Sequence, residues 1–421
     1  MEQEIQNIKA RKILNSRGEW TLEVVAESKN FKVKVGVPGG ASCGKFEAKV
    51  VGIDKAIKNV NEIIAPKLKG LNPTKQEKID QLLLELDDTK DKSNLGANAI
   101  VGISMTVCKL GAKVQGISLW KHINILFNQI TPSPSISPSS LGRGRIKVGE
   151  GEFLLPRACF NIINGGKHAG NELAIQEFMI VPQKESFAKN LEIAVKTYHR
   201  LKEIIKNEYG NSAINVGDEG GFAPPISSAI QALKLLKEAI QEDTKIILDC
   251  AATHFYKGDQ YYLEGATFTK EGLLSFYEEI IKKYPIIGLE DPFAEEDFEA
   301  WKNFYSKLQI LDSQLLIIGD DLTVTNPERI KMAKEKGLCN GAIIKINQIG
   351  TVTEAIEAAK LAKSFGWKII VSHRSGETND DFISDFAVGI GADFIKAGAP
   401  ARGERVAKYN RLLEIEKEIN H

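Results

Sequence analysis

Apolar and polar positions follow two regimes along the chain. Residues 3–13, 20–28 and 31–37 carry β-branched, alternating patterns with a polar turn at Ser28-Lys29-Asn30, and predict strands. Helical spacing follows over 53–66, 74–86 and 96–115, as in Ile79, Leu82, Leu83 and Leu86, with Asn72-Pro73-Thr74 as a helix start. Strands followed by helices predict an α+β domain over residues 1–130. Residues 131–152 are rich in Pro, Ser and Gly with few apolar anchors, and predict an exposed connector.

From 153 to 421 strand and helix patterns alternate. Strand-like runs lie near 158–163, 175–181, 213–217, 245–250, 286–290, 315–320, 342–346, 368–372 and 393–396. Helical patterns fill the gaps, for example 228–241, 270–283, 326–336 and 351–365. Roughly eight strand–helix units in this span fit a closed (β/α)8 barrel, with a doubly wound open sheet as the alternative. No GxGxxG follows a strand, which weakens a dinucleotide site.

Composition narrows the function classes. Lys+Arg and Asp+Glu balance at 55 each, so no net field draws nucleic acid or an anionic membrane. Five scattered cysteines (Cys43, Cys108, Cys159, Cys250, Cys339) show no CxxC spacing and read as reduced thiols of a cytoplasmic protein. The N-terminus lacks the apolar core of a signal peptide, and no uninterrupted apolar run reaches the roughly 20 residues of a membrane span.

Candidate chemistry sits where the apolar runs end. IILD stops at Asp249, IIGLE at Glu290 and LLIIGD at Asp320, while AIIK stops at Lys345 and DFIK at Lys396. A barrel gathers strand ends at one mouth, and the same rule adds Glu177, Glu219 and His373. Three carboxylates offer only oxygen, which suits Mg²⁺ or Mn²⁺ better than zinc; a salt-bridged rim is the alternative. A lysine beside a divalent cation and a second ammonium has a depressed pKa and can act as a base. Arg374 and Ser375, after His373, offer donors for an anion such as phosphate. Together these parts suit proton abstraction next to a carboxylate, through an enediolate that needs strong positive charge.

At this point the chain closely resembles the enolase family. The matching pieces are NSRG (15–18), GASCG (40–44), NIINGGKHAGN (161–171), IQEFMIVP (175–182), NVGDEGGFAP (215–224), LDCA (248–251), GLEDPFAEEDFEAW (288–301), GDDLTVTNP (319–327), IIKINQIGT (343–351), SHRSGET (372–378) and IKAGAPARGERVAKYN (395–410). They run in the family's order over nearly the whole chain. The resemblance implies a variant (β/α)8 barrel that begins with an antiparallel pair, capped by the N-terminal α+β domain. It implies reversible dehydration of 2-phospho-D-glycerate to phosphoenolpyruvate with two Mg²⁺ per site. Asp249, Glu290 and Asp320 would hold the first ion, and Ser42 would join a second once a lid closes. Lys345 would remove the C2 proton. Glu219, assisted by Glu177, would protonate the departing C3 hydroxyl. Lys396 would neutralise the substrate carboxylate, Arg374 and Ser375 would hold the phosphate beside His373, and His168 would sit on a closing loop. A homodimer or higher homo-oligomer is implied as well.

Departures from the family pattern fall mainly at the lid. SGAST is usual there, and here Gly39-Gly40-Ala41-Ser42-Cys43 stands instead, which predicts weaker lid ordering and a raised need for the second Mg²⁺. Two other readings compete. An acid-sugar dehydratase of the same superfamily would carry a KxK pair where Gln176-Glu177-Phe178 stands. A catalytically silent scaffold protein would have lost a metal ligand or the base, and none is lost.

Overall fold

The computed structural model describes residues 4–40, 44–130, 155–311 and 314–420. Strands β1 (Asn7–Leu14), β2 (Trp20–Glu27) and β3 (Lys32–Gly36) form an antiparallel sheet. Leu22, Val24 and Ala26 of β2 turn inward and are fully buried, as their alternation predicts. The helices Gln76–Asp87, Ala97–Gln115 and Leu119–Gln129 complete this unit; the last had no counterpart in the sequence reading. Gly102 lets helix Ala97–Gln115 reach the sheet, because a Cβ there would lie 2.8 Å from Val24 and 2.9 Å from Val37. That helix is long and apolar enough to cross a membrane, yet 83% of the window is buried inside the protein, as in a core helix. Asn98, Ser104, Thr106 and Lys109 break its apolar run, so the sequence shows no continuous span.

The barrel opens with β4 (Arg157–Asn164), β5 (Glu177–Pro182) and β6 (Thr244–Asp249). A small antiparallel sheet follows, made of β7 (Tyr256–Lys257), β8 (Gln260–Leu263) and β9 (Ala266–Phe268). The barrel then resumes with β10 (Ile286–Glu290), β11 (Leu316–Gly319), β12 (Gly341–Ile344), β13 (Lys368–Ser372) and β14 (Phe394–Lys396). These eight strands close in the order β10-β11-β12-β13-β14-β4-β5-β6. Strand β5 runs antiparallel to both neighbours and every other pairing is parallel, so the variant barrel is present. Cys159, Met179, Val181, Ile247, Ile318, Ile343 and Ile370 are among the side chains that fill its interior.

One strand expectation fails. Residues 213–217 contribute no barrel strand: Asn211–Ile214 forms a 3-10 turn and Val216 makes a single bridge to Phe222. The alternating pattern there serves a loop that folds back over the barrel mouth.

Candidate active site

Asp249, Glu290 and Lys396 end their strands, while Asp320, Lys345 and His373 follow theirs by one residue. Glu177 instead begins β5; because that strand is reversed, its pairing with Asp249 brings it to the same rim. Glu219 and His168 arrive on loops held together by the Asp218 N–H, which donates to the His168 carbonyl at 3.0 Å. All of these carboxylates are less than a tenth exposed.

Lys396 Nζ bridges three of them, at 3.0 Å from Asp249 Oδ2, 2.9 Å from Glu290 Oε1 and 3.1 Å from Glu177 Oε2. Burial works against its charge, but Asp249, Glu177 and Glu290 outweigh burial and raise its pKa well above the ordinary range. Lys345 Nζ donates to Asp320 Oδ2, and Gln348 Nε2 donates to Asp320 Oδ1 at 2.9 Å. Here too burial alone would lower the lysine, and Asp320 reverses it.

A second acidic group lies beside the first. Asp291, with φ of 40°, turns its carboxylate to accept the N–H groups of Asp320 at 3.0 Å and Asp321 at 2.8 Å. Asp291, Asp320 and Asp321 each place a ligand atom within 4.8 Å of the others. Burial first, then neighbouring carboxylates, pushes Glu290 up to about 8 and Asp321 up to about 7, and Asp291 well above its usual range. Six carboxylates, five buried and Asp321 half-buried, thus crowd around two lysines. Protonating that many acids, or placing a hard cation among them, is the physical choice, and an all-oxygen donor set fits a divalent ion of the Mg²⁺ type.

Glu177 also belongs to a second cluster. His168 Nδ1 is 3.6 Å from Glu177 Oε1 and 3.4 Å from Glu219 Oε1, and His373 Nε2 is 3.4 Å from the same Glu219 oxygen. Asn161 Nδ2 donates to Glu219 Oε2 at 2.9 Å. Burial and then the Glu219 charge push Glu177 well above the carboxylate range. Burial acts on Glu219 in the same sense, but the imidazoles and Arg405 overcome it and hold Glu219 low. Two adjacent carboxylates with opposite shifts place a proton on Glu177 and a charge on Glu219, an arrangement suited to acid–base work.

The anion side is built across the two units. Arg374 Nη1 donates to Glu47 Oε2 at 3.0 Å and to Asn347 Oδ1 at 3.3 Å. Glu47 comes from the N-terminal domain, just after the glycine-rich loop, and Gly39 pairs with Gly376 through reciprocal 2.8 Å hydrogen bonds.

Comparisons with known proteins settle the family. The model described as "Enolase, C-terminal TIM barrel domain" matches residues 152–421, and "Enolase, N-terminal domain" matches residues 5–123. Enolase B of Dictyostelium discoideum is 46% identical over 444 residues, covering 99% of this chain and 95% of that protein. The chain belongs to the enolase family. Its enzyme class follows: a carbon–oxygen hydro-lyase, phosphopyruvate hydratase.

For an enolase-family barrel the expected constellation is gathered almost completely. Glu177, Glu219, Asp249, Glu290, Asp320, Lys345, His168, His373, Arg374, Ser375 and Lys396 all meet at one mouth. Ser42 and Cys43 of the lid, and the 131–152 connector, lie outside the described residues. Reasoning from strand ends missed Glu47, Asp291, Asp321 and Arg405. Asp291, Asp321 and Arg405 stood inside family-like motifs, as the second acid of GLEDP and GDDL and the arginine of GERVAK, while Glu47 lies three residues beyond GASCG in no quoted motif. A run of two adjacent acids after a strand was the available signal for Asp291 and Asp321.

Proposed function

We propose that this protein catalyses the reversible dehydration of 2-phospho-D-glycerate to phosphoenolpyruvate, with Lys345 as the C2 base and Glu219 as the acid at C3. The observation that carries the reading is that one mouth gathers a lysine on a carboxylate and a pair of acids with opposite pKa shifts, with Lys396 bridging Glu177 to Asp249 and Glu290. The lysine is Lys345 on Asp320, and the pair is Glu177, pushed up, and Glu219, held low, both facing His168.

Asp249, Glu290 and Asp320 would hold the first Mg²⁺; of the three, Asp320 has its ligand atom within 4.8 Å of those of Asp291 and Asp321, while Asp249 and Glu290 are bridged by Lys396. When bound, the ion supplies the positive charge that makes a carboxylate-stabilised enediolate accessible. Lys345 holds its proton against Asp320, and sharing that carboxylate with a divalent cation would favour the neutral form a base requires. Lys396 binds the substrate carboxylate, while Arg374, Ser375 and His373 orient the phosphate. Lys345 takes the C2 proton; the proton that Glu177 holds passes through Glu219, the acid at C3, to the departing hydroxyl as water leaves, with His168 beside both. A second Mg²⁺ at Ser42 is part of the same reading. So are a cytoplasmic location, a homodimer or larger homo-oligomer, and the division into a cap (1–130), a connector (131–152) and a barrel (153–421).

The test is direct. Incubation with 2-phosphoglycerate should give phosphoenolpyruvate, followed by ultraviolet absorbance, with turnover abolished by EDTA and restored by Mg²⁺. Absence of magnesium-dependent product overturns the reading.

A further inference from the structure

Arg405 is fully buried in the first turn of the C-terminal helix Gly403–Asn420, yet no step above uses it. Its Nη1 lies 2.5 Å from His373 Nδ1 and donates to the Arg374 carbonyl at 2.7 Å. Its Nη2 donates to the carbonyls of Ser375 at 2.6 Å and Asp218 at 3.0 Å. One guanidinium therefore ties the loop that carries Glu219 to the loop that carries His373, Arg374 and Ser375.

Arginine carries five N–H donors and no acceptor. The ring nitrogen that faces it must present a lone pair, so His373 Nδ1 is unprotonated and the ring proton lies on Nε2. Nε2 is the nitrogen 3.4 Å from Glu219 Oε1. With the opposite tautomer, two lone pairs would face each other there, and Nε2 would compete with Glu219 for its proton.

Resting on the function proposed above, we propose that Arg405 is a positioning residue for the acid–base step: it locks His373 as a neutral Nε2–H donor aimed at Glu219. The charged groups facing His373 are Glu219, Arg405 and Glu377, the last paired with Lys408 Nζ at 2.8 Å. Burial foremost, and Arg405 as well, bring His373 down to about 4 against the pull of Glu219. The imidazole thus stays a donor through neutrality instead of becoming a second acid.

Two measurements test this. In the wild-type protein, long-range ¹⁵N–¹H correlation spectra recorded between about pH 6 and 9 should show His373 with Nδ1 unprotonated and Nε2 protonated throughout. The signal is assigned by its loss in His373→Asn. An Nδ1–H tautomer, or a ring that gains a second proton near its ordinary pKa, overturns the proposal. In Arg405→Lys, checked for native circular dichroism, kcat for 2-phosphoglycerate should fall at least about tenfold more than KM rises, as expected for an acid–base effect. A new titration should also enter the kcat profile near the ordinary histidine pKa. A folded variant whose loss lies wholly in KM with an unchanged profile overturns it. Should that variant not fold, the wild-type spectra decide alone. A wild-type protein without turnover sinks the proposed function but leaves the tautomer result standing on its own.

Discussion

Lys345 is half-buried with its ammonium on Asp320, and two other cations, Arg374 and Lys396, add their fields to it. On the proposed function, an amine so placed would act as a base once its carboxylate partner were shared with a metal. Replacing Lys345 by Ala should therefore lower kcat by at least roughly 10²–10⁴-fold, the usual worth of a positioned base, while the fold persists. Asp320 keeps its Gln348 donor in that variant, so no carboxylate is left wholly unpartnered. Coupled ultraviolet assay and circular dichroism measure both; activity near wild type would put the base elsewhere. At this scale the sequence was informative where a charge ends an apolar run, because the barrel forces such residues to one mouth. It was uninformative about Glu47 and Arg405. Their importance lies in what they touch across the chain, Arg374 in one case and His373 in the other, and no local pattern records that contact.

Among elements, the junction of helix Gln76–Asp87 with helix Val352–Ser364 carries a titratable group. Asp80 is buried, and its Oδ2 accepts the N–H of Thr353 at 3.0 Å and its hydroxyl at 2.6 Å, while Gln76 Nε2 donates to Oδ1 at 3.0 Å. Burial nevertheless dominates these hydrogen bonds and raises Asp80 to about 6 from 3.8. A carboxyl with a raised folded pKa binds more protons folded than unfolded between those values. Its contribution is therefore fully present below the lower value and lost as pH rises through the upper one. About two units correspond to ~3 kcal/mol. Denaturant unfolding of the wild type should thus lose stability between pH 4 and 7 relative to Asp80→Asn, which lacks the titration; parallel curves would refute it. Elements were legible wherever one period dominated. The β7–β9 sheet was missed although its turns were readable: Gly258-Asp259 and Glu264-Gly265 each place two consecutive residues at positive φ, as a tight hairpin demands. Residues 213–217 misled in the other direction, since alternation in a short run does not distinguish a strand from a loop lying on a sheet.

At the scale of the whole molecule, the two family units share more than a site. Lys109 of the N-terminal helix Ala97–Gln115 pairs with Asp380 at 2.9 Å, and Asn124 Nδ2 donates to the Gly389 carbonyl at 2.9 Å. Gly389 itself lets helix Phe382–Gly389 press on helix Leu119–Gln129, for a Cβ there would lie 2.6 Å from Ile123. One continuous apolar core, from Ile8 through Ile123 to Phe386 and Leu412, runs through both units. Such a core opposes separate unfolding, even in a chain long enough to hold two domains. Hydrogen-exchange mass spectrometry should therefore find the slowest amides of helix Ala97–Gln115 and of β12–β13 opening with one shared free energy. Mg²⁺ and 2-phosphoglycerate, at about a hundredfold over their dissociation constants, should raise both by the same ~2.7 kcal/mol or more. Separate opening energies, or protection gained by the barrel alone, would mean that the N-terminal unit merely leans on the barrel. Equal gains in both would mean that substrate binding at the mouth is felt by the molecule as a single body, through contacts such as Glu47 on Arg374 that the chain makes between its first domain and its second.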